Sequence, residues 1–172
     1  WDNRYNSDRN SSTGINNYHV SRMKDTLEEL YNTSFNDSTK AYIAAQNICL
    51  GKRDIDSTNN SGSIECSDVL ENQYLSLLQV NEFVLASIDT GCTKLSSNEC
   101  TNYNYLAKLD RTFWSITADT YRSDKVYKIS SSIISSNASS TSSIKAVIHL
   151  DGNAKVTEGI GTEENPYIIK TA

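Results

Sequence analysis

The densest run of oxygen-bearing side chains is Ser57-Thr58-Asn59-Asn60-Ser61-Gly62-Ser63-Ile64-Glu65-Cys66-Ser67-Asp68. It fits a calcium-loop frame in outline. Oxygen side chains fall at positions 1, 3, 5, 9 and 12, Gly62 at position 6 and Ile64 at position 8. Calcium takes hard oxygen ligands, and the glycine permits the sharp turn. The ends fit less well, because Ser57 stands where Asp is expected and Asp68 is short for a bidentate ligand. Shifting the frame to Asp54…Glu65 restores both end carboxylates and loses the glycine. Together the frames nominate Asp54, Asp56, Asn59, Ser61, Glu65 and Asp68 as ligands of a calcium ion, the one cofactor suggested. The plainer reading of the same loop is a polar segment closed by a disulfide.

Nucleophilic catalysis needs a base within reach of the nucleophile. The chain has two histidines. His19 precedes a helix and reads as a surface residue; His149 lies in an apolar strand, where packing explains it. No G-x-S-x-G, H-E-x-x-H or phosphate loop is present. The motifs therefore predict no enzyme. Exposed aromatics are the other candidates. Tyr103, Tyr121 and Tyr127 are predicted to contact a partner or stack on a sugar ring, whereas Trp114 and Tyr105 read as core.

Cys49, Cys66, Cys92 and Cys100 lack the paired C-x2-C ends of zinc motifs. An even count in a Ser/Asn-rich acidic chain predicts two disulfides and an oxidising, extracellular compartment. Three connectivities are possible. Cys49–Cys66 with Cys92–Cys100 is favoured, because each closes a loop rich in turn residues. The alternative is four reduced thiols in a cytosolic protein.

At 172 residues the chain is read as a single extracellular domain, with a helical part over 1–53 and a sheet-rich part over 54–172. The net charge of −5 argues against a nucleic-acid partner. Residues 54–99 hold eight acids and one base, Lys94. Such a face favours cations or is simply solvated. No run approaches a membrane span, and no signal peptide opens the chain. Trp1 is no natural start, so a leader or anchor is expected upstream, and the membrane would be met only through it.

A helix is predicted over Ser21–Tyr31, with Ser21 as N-cap and Met23, Leu27 and Leu30 on one face. A second is predicted from Ser38 to Asn47, making a helical hairpin. A short helix is read at Asp68–Tyr74, a strand at Leu75–Leu78 and a helix capped by Asn81 through Ser87. Alternation predicts strands at 113–118 and Lys125–Ile129, with another around Ile133 before a flexible serine-rich tip ending at Ser143. Ala146–Leu150 is almost unbroken apolar and reads as a strand buried in mid-sheet. Tyr167–Ile169 follows the single proline, and Gly159 and Gly161 read as turn positions. Leu27, Leu30, Ile43, Leu78, Val84, Trp114, Ile116, Val147, Ile148 and Ile168 are the predicted core. Together these give an α+β fold, helices on a mixed or antiparallel sheet.

The segment VIHLDGNAKVTEGIGTEENPYII resembles the end of a domain of unknown function common in surface proteins of Gram-positive bacteria, which closes with a VINL-like strand, G-x-G-T and N-P-Y. Leu77–Phe83, Asn104-Tyr105-Leu106 and Trp114–Thr117 resemble upstream segments of that pattern, which spans roughly Tyr74 to Ile169. Where the family carries Gly-Val-Arg-Pro, this chain has Ser143-Ile144-Lys145-Ala146. The resemblance implies a C-type-lectin-like or formylglycine-generating-enzyme-like fold in a pilin-like or membrane-anchored protein. The expected function is a non-enzymatic bacterial cell-surface ectodomain, either a self-assembling pilus-like filament subunit or an adhesion module for protein or glycan. The competing class is a secreted enzyme of formylglycine-generating ancestry. An adhesive site is expected near Tyr103, Tyr121 and the Ser130–Ser143 tip.

Overall fold

The computed structural model describes residues 1–108, 111–162 and 164–171. Helix α1 spans Arg22–Ser34. Ser21 caps it as expected, its Oγ accepting from the Lys24 N–H at 3.1 Å. Met23 and Leu27 are buried on its inner face, and Leu30 packs against the same cluster only partly buried.

The expected second helix is reduced to one turn, α2 at Asp37–Lys40, capped by Asn36. The chain then enters strand β1, Gln46–Cys49. The physical reason lies in spacing. Ile43 and Ile48 are both buried, but residues five apart point to different sides of a helix. Burying both, and bringing Cys49 to Cys66, outweighs the helix propensity of the alanines. The helical hairpin is thereby corrected, and 1–53 is not purely helical. The helix expected at 68–74 is likewise strand β2, Val69–Gln73, paired antiparallel with β1. Asn72 has φ +57, which no α-helix accommodates.

Strand β3 (Ser76–Leu77) leads into α3 (Val80–Leu85). The residue before α3 is Gln79 rather than Asn81; its N–H is accepted by the Glu82 carboxylate at 2.7 Å. The centre of the protein is an antiparallel meander of β4 (Phe113–Ala118), β5 (Lys125–Ile129) and β6 (Ile133–Asn137). All six residues of β4 are buried. Their alternation sorts them between two cores. Trp114, Ile116 and Val126 face a cluster with Trp1, Tyr18, Met23, Leu27 and Leu77. Phe113, Tyr127 and Ile129 face another with Val80, Phe83, Leu95 and Ile133. The sheet is thus covered on both sides.

That position was expected for Ala146–Leu150. Instead β7 is Ala146–Val147, paired only with β3. Val147 is partly buried, Ile148 and Leu150 are each 41 % exposed, and His149 is exposed. With a single strand neighbour, β7 leaves apolar residues open to solvent. Among the described residues, four small sheets therefore stand where a single sheet was expected. The last is a hairpin of β8 (Ala154–Glu158) and β9 (Ile168–Thr171). Ile168 lies exposed in it, another correction to the expected core, while Leu78 is only partly buried. Gly159 has φ +90, and a side chain there would meet the Pro166 carbonyl oxygen at 2.0 Å, so only glycine fits.

The serine-rich stretch is no free tip. Ala138 is buried, the Ser139 N–H donates to the Thr13 carbonyl, and the Ser143 carbonyl accepts from the Trp114 N–H. No helix among the described residues is long and apolar enough to cross a membrane.

Candidate functional site

The two disulfides are Cys49–Cys66 and Cys92–Cys100. The first closes the loop nominated for calcium. At its centre stands Arg53, which the sequence did not single out. Arg53 and Glu65 are both fully buried. Arg53 Nε donates to Glu65 Oε1 at 2.6 Å and Nη2 to Oε2 at 2.5 Å, a bidentate pair. Nη2 also donates to the Ser61 carbonyl at 2.7 Å, and Nη1 to that of Asn59. The loop carries its own cation: carbonyl and carboxylate oxygens converge on a guanidinium.

Each of the six nominated ligands has a partner within the protein. Glu65 is committed to Arg53 through both oxygens. Asp54 accepts from the Tyr121 hydroxyl at 3.4 Å and the Asp56 N–H at 3.0 Å. Asp56 accepts from Ser96 Oγ at 2.9 Å and lies 3.5 Å from Lys94 Nζ. Asn59 Oδ1 accepts from the Ser61 N–H, and Ser61 Oγ faces Ser63 Oγ. Asp68 pairs with His19 at 3.0 Å, away from the loop centre. Among the described residues no three His, Cys, Asp or Glu side chains stand together as a metal site.

His19 and Asp68 border a cleft of about 450 Å³ floored by Leu50, Ile116 and Ala118. Ser67, also on its lining, donates its hydroxyl to the Ile64 carbonyl at 2.8 Å and so is not paired with His19. All four cysteines are oxidised.

Of the three nominated tyrosines, Tyr127 is corrected. It is fully buried, and its hydroxyl donates to the Arg53 carbonyl at 3.0 Å. Burial pushes its ionisation well above that of a free phenol. Tyr121 (75 % exposed) and Tyr103 (79 % exposed) are both on the surface. Tyr105, read as core, is 70 % exposed.

Tyr103 belongs to a knob built by the second disulfide loop on α3. Asn104 holds this knob together: its amide donates to the Phe83 carbonyl at 2.6 Å and the Cys100 carbonyl at 2.8 Å. Ser87 Oγ donates to the Asn102 carbonyl, and the Asn102 amide to Asp89. That amide, with the Gly91 N–H, holds the Asp89 carboxyl below the usual carboxylate range. Leu85 (64 %) and Ile88 (80 %) are exposed beside these tethers. Tyr103 itself has φ +51, a conformation rarely taken by an aromatic residue. The knob is joined to the calcium-type loop through Asp56–Lys94, Asp56–Ser96 and the Asn60 amide on the Cys92 carbonyl.

No protein family, curated protein or solved structure matches this chain. The site is accordingly read from its geometry. Leu85, Ile88, Tyr103 and Tyr105 are exposed on segments tied to one another through Ser87, Asn104 and Cys92–Cys100, and the same segments carry Glu82, Asp89 and Glu99. The sequence marked Tyr103 but missed Leu85 and Ile88, which follow the buried face of α3 and carry no local signal of exposure.

Proposed function

We propose that this chain is a non-enzymatic extracellular binding module, displayed on a bacterial surface, that docks a protein partner through the disulfide-closed knob. The observation that carries this reading is the exposed set Leu85, Ile88, Tyr103 and Tyr105 on a backbone fixed by Asn104 and Cys92–Cys100. Large apolar side chains grouped on a rigid surface are the material of interface anchors. The neighbouring carboxylates select a partner segment with basic residues flanking its apolar ones. Two disulfides are compatible with the extracellular location.

The test is retention under flow of cells displaying the chain, on surfaces coated with basic extracellular proteins. Ile88→Ser and Tyr103→Ala are expected to reduce retention about tenfold each, the loss of one anchor. Tyr5→Ala, at an exposed tyrosine elsewhere, is expected to leave it unchanged. Equal retention by all three variants contradicts the reading.

One observation favours the filament reading as a second possibility. The β8–β9 hairpin exposes Val156, Ile160, Tyr167 and Ile168, and an apolar hairpin with open edges suits head-to-tail self-association. Sedimentation that shifts with concentration, and stops shifting in Val156→Lys, supports it; a monomer at all concentrations removes it.

A further inference from the structure

We infer that a second site, lined by none of the knob's residues, binds a neutral pyranose sugar. It is a cleft of about 270 Å³ between the C-terminal half of α1 and the turn joining β2 to β3. Its size is just below the range of drug-sized ligand pockets and suits one sugar ring.

The chemistry of its lining is specific. Leu27 and Leu75 supply apolar surface. Tyr31 and Tyr74 stack with ring centroids 4.4 Å apart and planes within 3°. Lys40 Nζ lies 5.1 Å from the Tyr31 ring centroid and donates to the Asn32 carbonyl at 3.1 Å. Tyr31 thus contacts both a cation and a second ring, that of Tyr74. Tyr74 remains 41 % exposed, leaving ring surface for a ligand.

Around this aromatic wall stand flat hydrogen-bonding groups. The side-chain amides of Asn32 and Asn72 have no protein partner among the described residues, and both line the cleft. Glu28 adds a carboxylate, one oxygen of which is 2.6 Å from Lys24 Nζ. Asn72 is fixed in a left-handed conformation at φ +57, its N–H donating to Asn47 Oδ1 at 3.2 Å.

A pyranose presents one face of C–H bonds and an equatorial rim of hydroxyls that both donate and accept. A tyrosine face and amide side chains match those two surfaces. A phosphorylated or carboxylated ligand is disfavoured, since Glu28 lies on the lining and Lys40 is engaged at Tyr31 and Asn32.

The test is titration of the isotope-labelled protein with cellobiose, maltose, lactose and chitobiose, read by NMR shifts, with a proline-rich peptide as comparison. At least one disaccharide is expected to shift the signals of Asn32, Asn72 and Tyr74 with a dissociation constant on the order of 1 mM, typical of a small ligand. Tyr74→Ala is expected to weaken it at least tenfold. Asn72→Gly keeps the backbone conformation, guards against loss of fold, and is expected to weaken it several-fold. No shift with any sugar, shifts elsewhere, unchanged affinity in both variants, or binding of the peptide alone overturns the inference. The knob lies outside this cleft, so cell retention through Ile88 and Tyr103 stands or falls separately.

Discussion

Arg53 and Glu65 face each other through two parallel hydrogen bonds, both side chains fully buried, with two loop carbonyls completing the guanidinium's environment. Two charges removed from water repay their desolvation only when the geometry is this complete. What the pair provides is a fixed position for residues 59–65, and through Asp56 and Asn60 for the knob beside them.

Breaking the pair should be costly. Glu65→Gln or Arg53→Met each leaves an uncompensated buried charge, worth roughly 3–5 kcal/mol. Urea unfolding measures it. The double variant Arg53→Met/Glu65→Leu is expected to recover part of the loss, but not all, because the Asn59 and Ser61 carbonyls lose their donor.

The disulfides should contribute unequally. Removing Cys49–Cys66, of separation 17, is expected to cost about 3 kcal/mol, and Cys92–Cys100, of separation 8, about 2.5 kcal/mol. Paired Cys→Ala variants compared by urea midpoint check the order. Non-reducing peptide mapping should return these two linkages alone.

Stability should fall at both pH extremes for separate reasons. Burial pushes the Asp2 carboxyl up, but hydrogen bonds from Arg4 and the Arg22 N–H outweigh it and hold it below its ordinary value. Asp124 behaves alike beside Arg122 and Thr13. Their contribution is present above about pH 4, the unfolded carboxyl range, and disappears as pH falls through the lower native values. Tyr18 and Tyr127 are shifted upward, chiefly by burial. Their contribution is complete below about pH 10 and is lost as pH rises beyond it. In a spectrophotometric titration of the ten tyrosines, these two should ionise only with unfolding; early ionisation of all ten would contradict their burial.

Tyr103 should separate stability from binding. Its positive φ costs a non-glycine residue on the order of 1 kcal/mol. Tyr103→Gly is therefore expected to keep or slightly raise the urea midpoint while lowering cell retention as far as Tyr103→Ala does.

Much of the framework was legible in particular residues. Ser21 announced α1, and the alternation in Phe113–Ala118 and Lys125–Ile129 marked two strands of the central sheet. Of the three connectivities possible, the one favoured because each bridge closes a turn-rich loop is the one found. Ala146–Leu150 misled because an apolar run shows that a strand can be buried, not how many neighbours cover it. Tyr121 and Tyr127 have the same side chain and opposite fates, because Tyr121 lies in the turn before β5 whereas Tyr127 is in β5 with its hydroxyl on the Arg53 carbonyl. The role of Arg53 needed the loop closed in three dimensions, since its four acceptors come from residues 59, 61 and 65. In that loop the Asn59 and Ser61 carbonyls and the Glu65 carboxylate accept from Arg53, while Asp54, Asp56 and Asp68 reach Tyr121, Ser96 and His19.

The most direct test is amide hydrogen exchange over residues 54–65 and 85–105, for wild type and Glu65→Gln, each with calcium and with a chelator. With the loop organised by its own guanidinium, wild-type protection should be the same in both buffers. Glu65→Gln should speed exchange first in 54–65 and then in the knob. Wild-type protection that rises with calcium, together with an unchanged Glu65→Gln pattern, would contradict it.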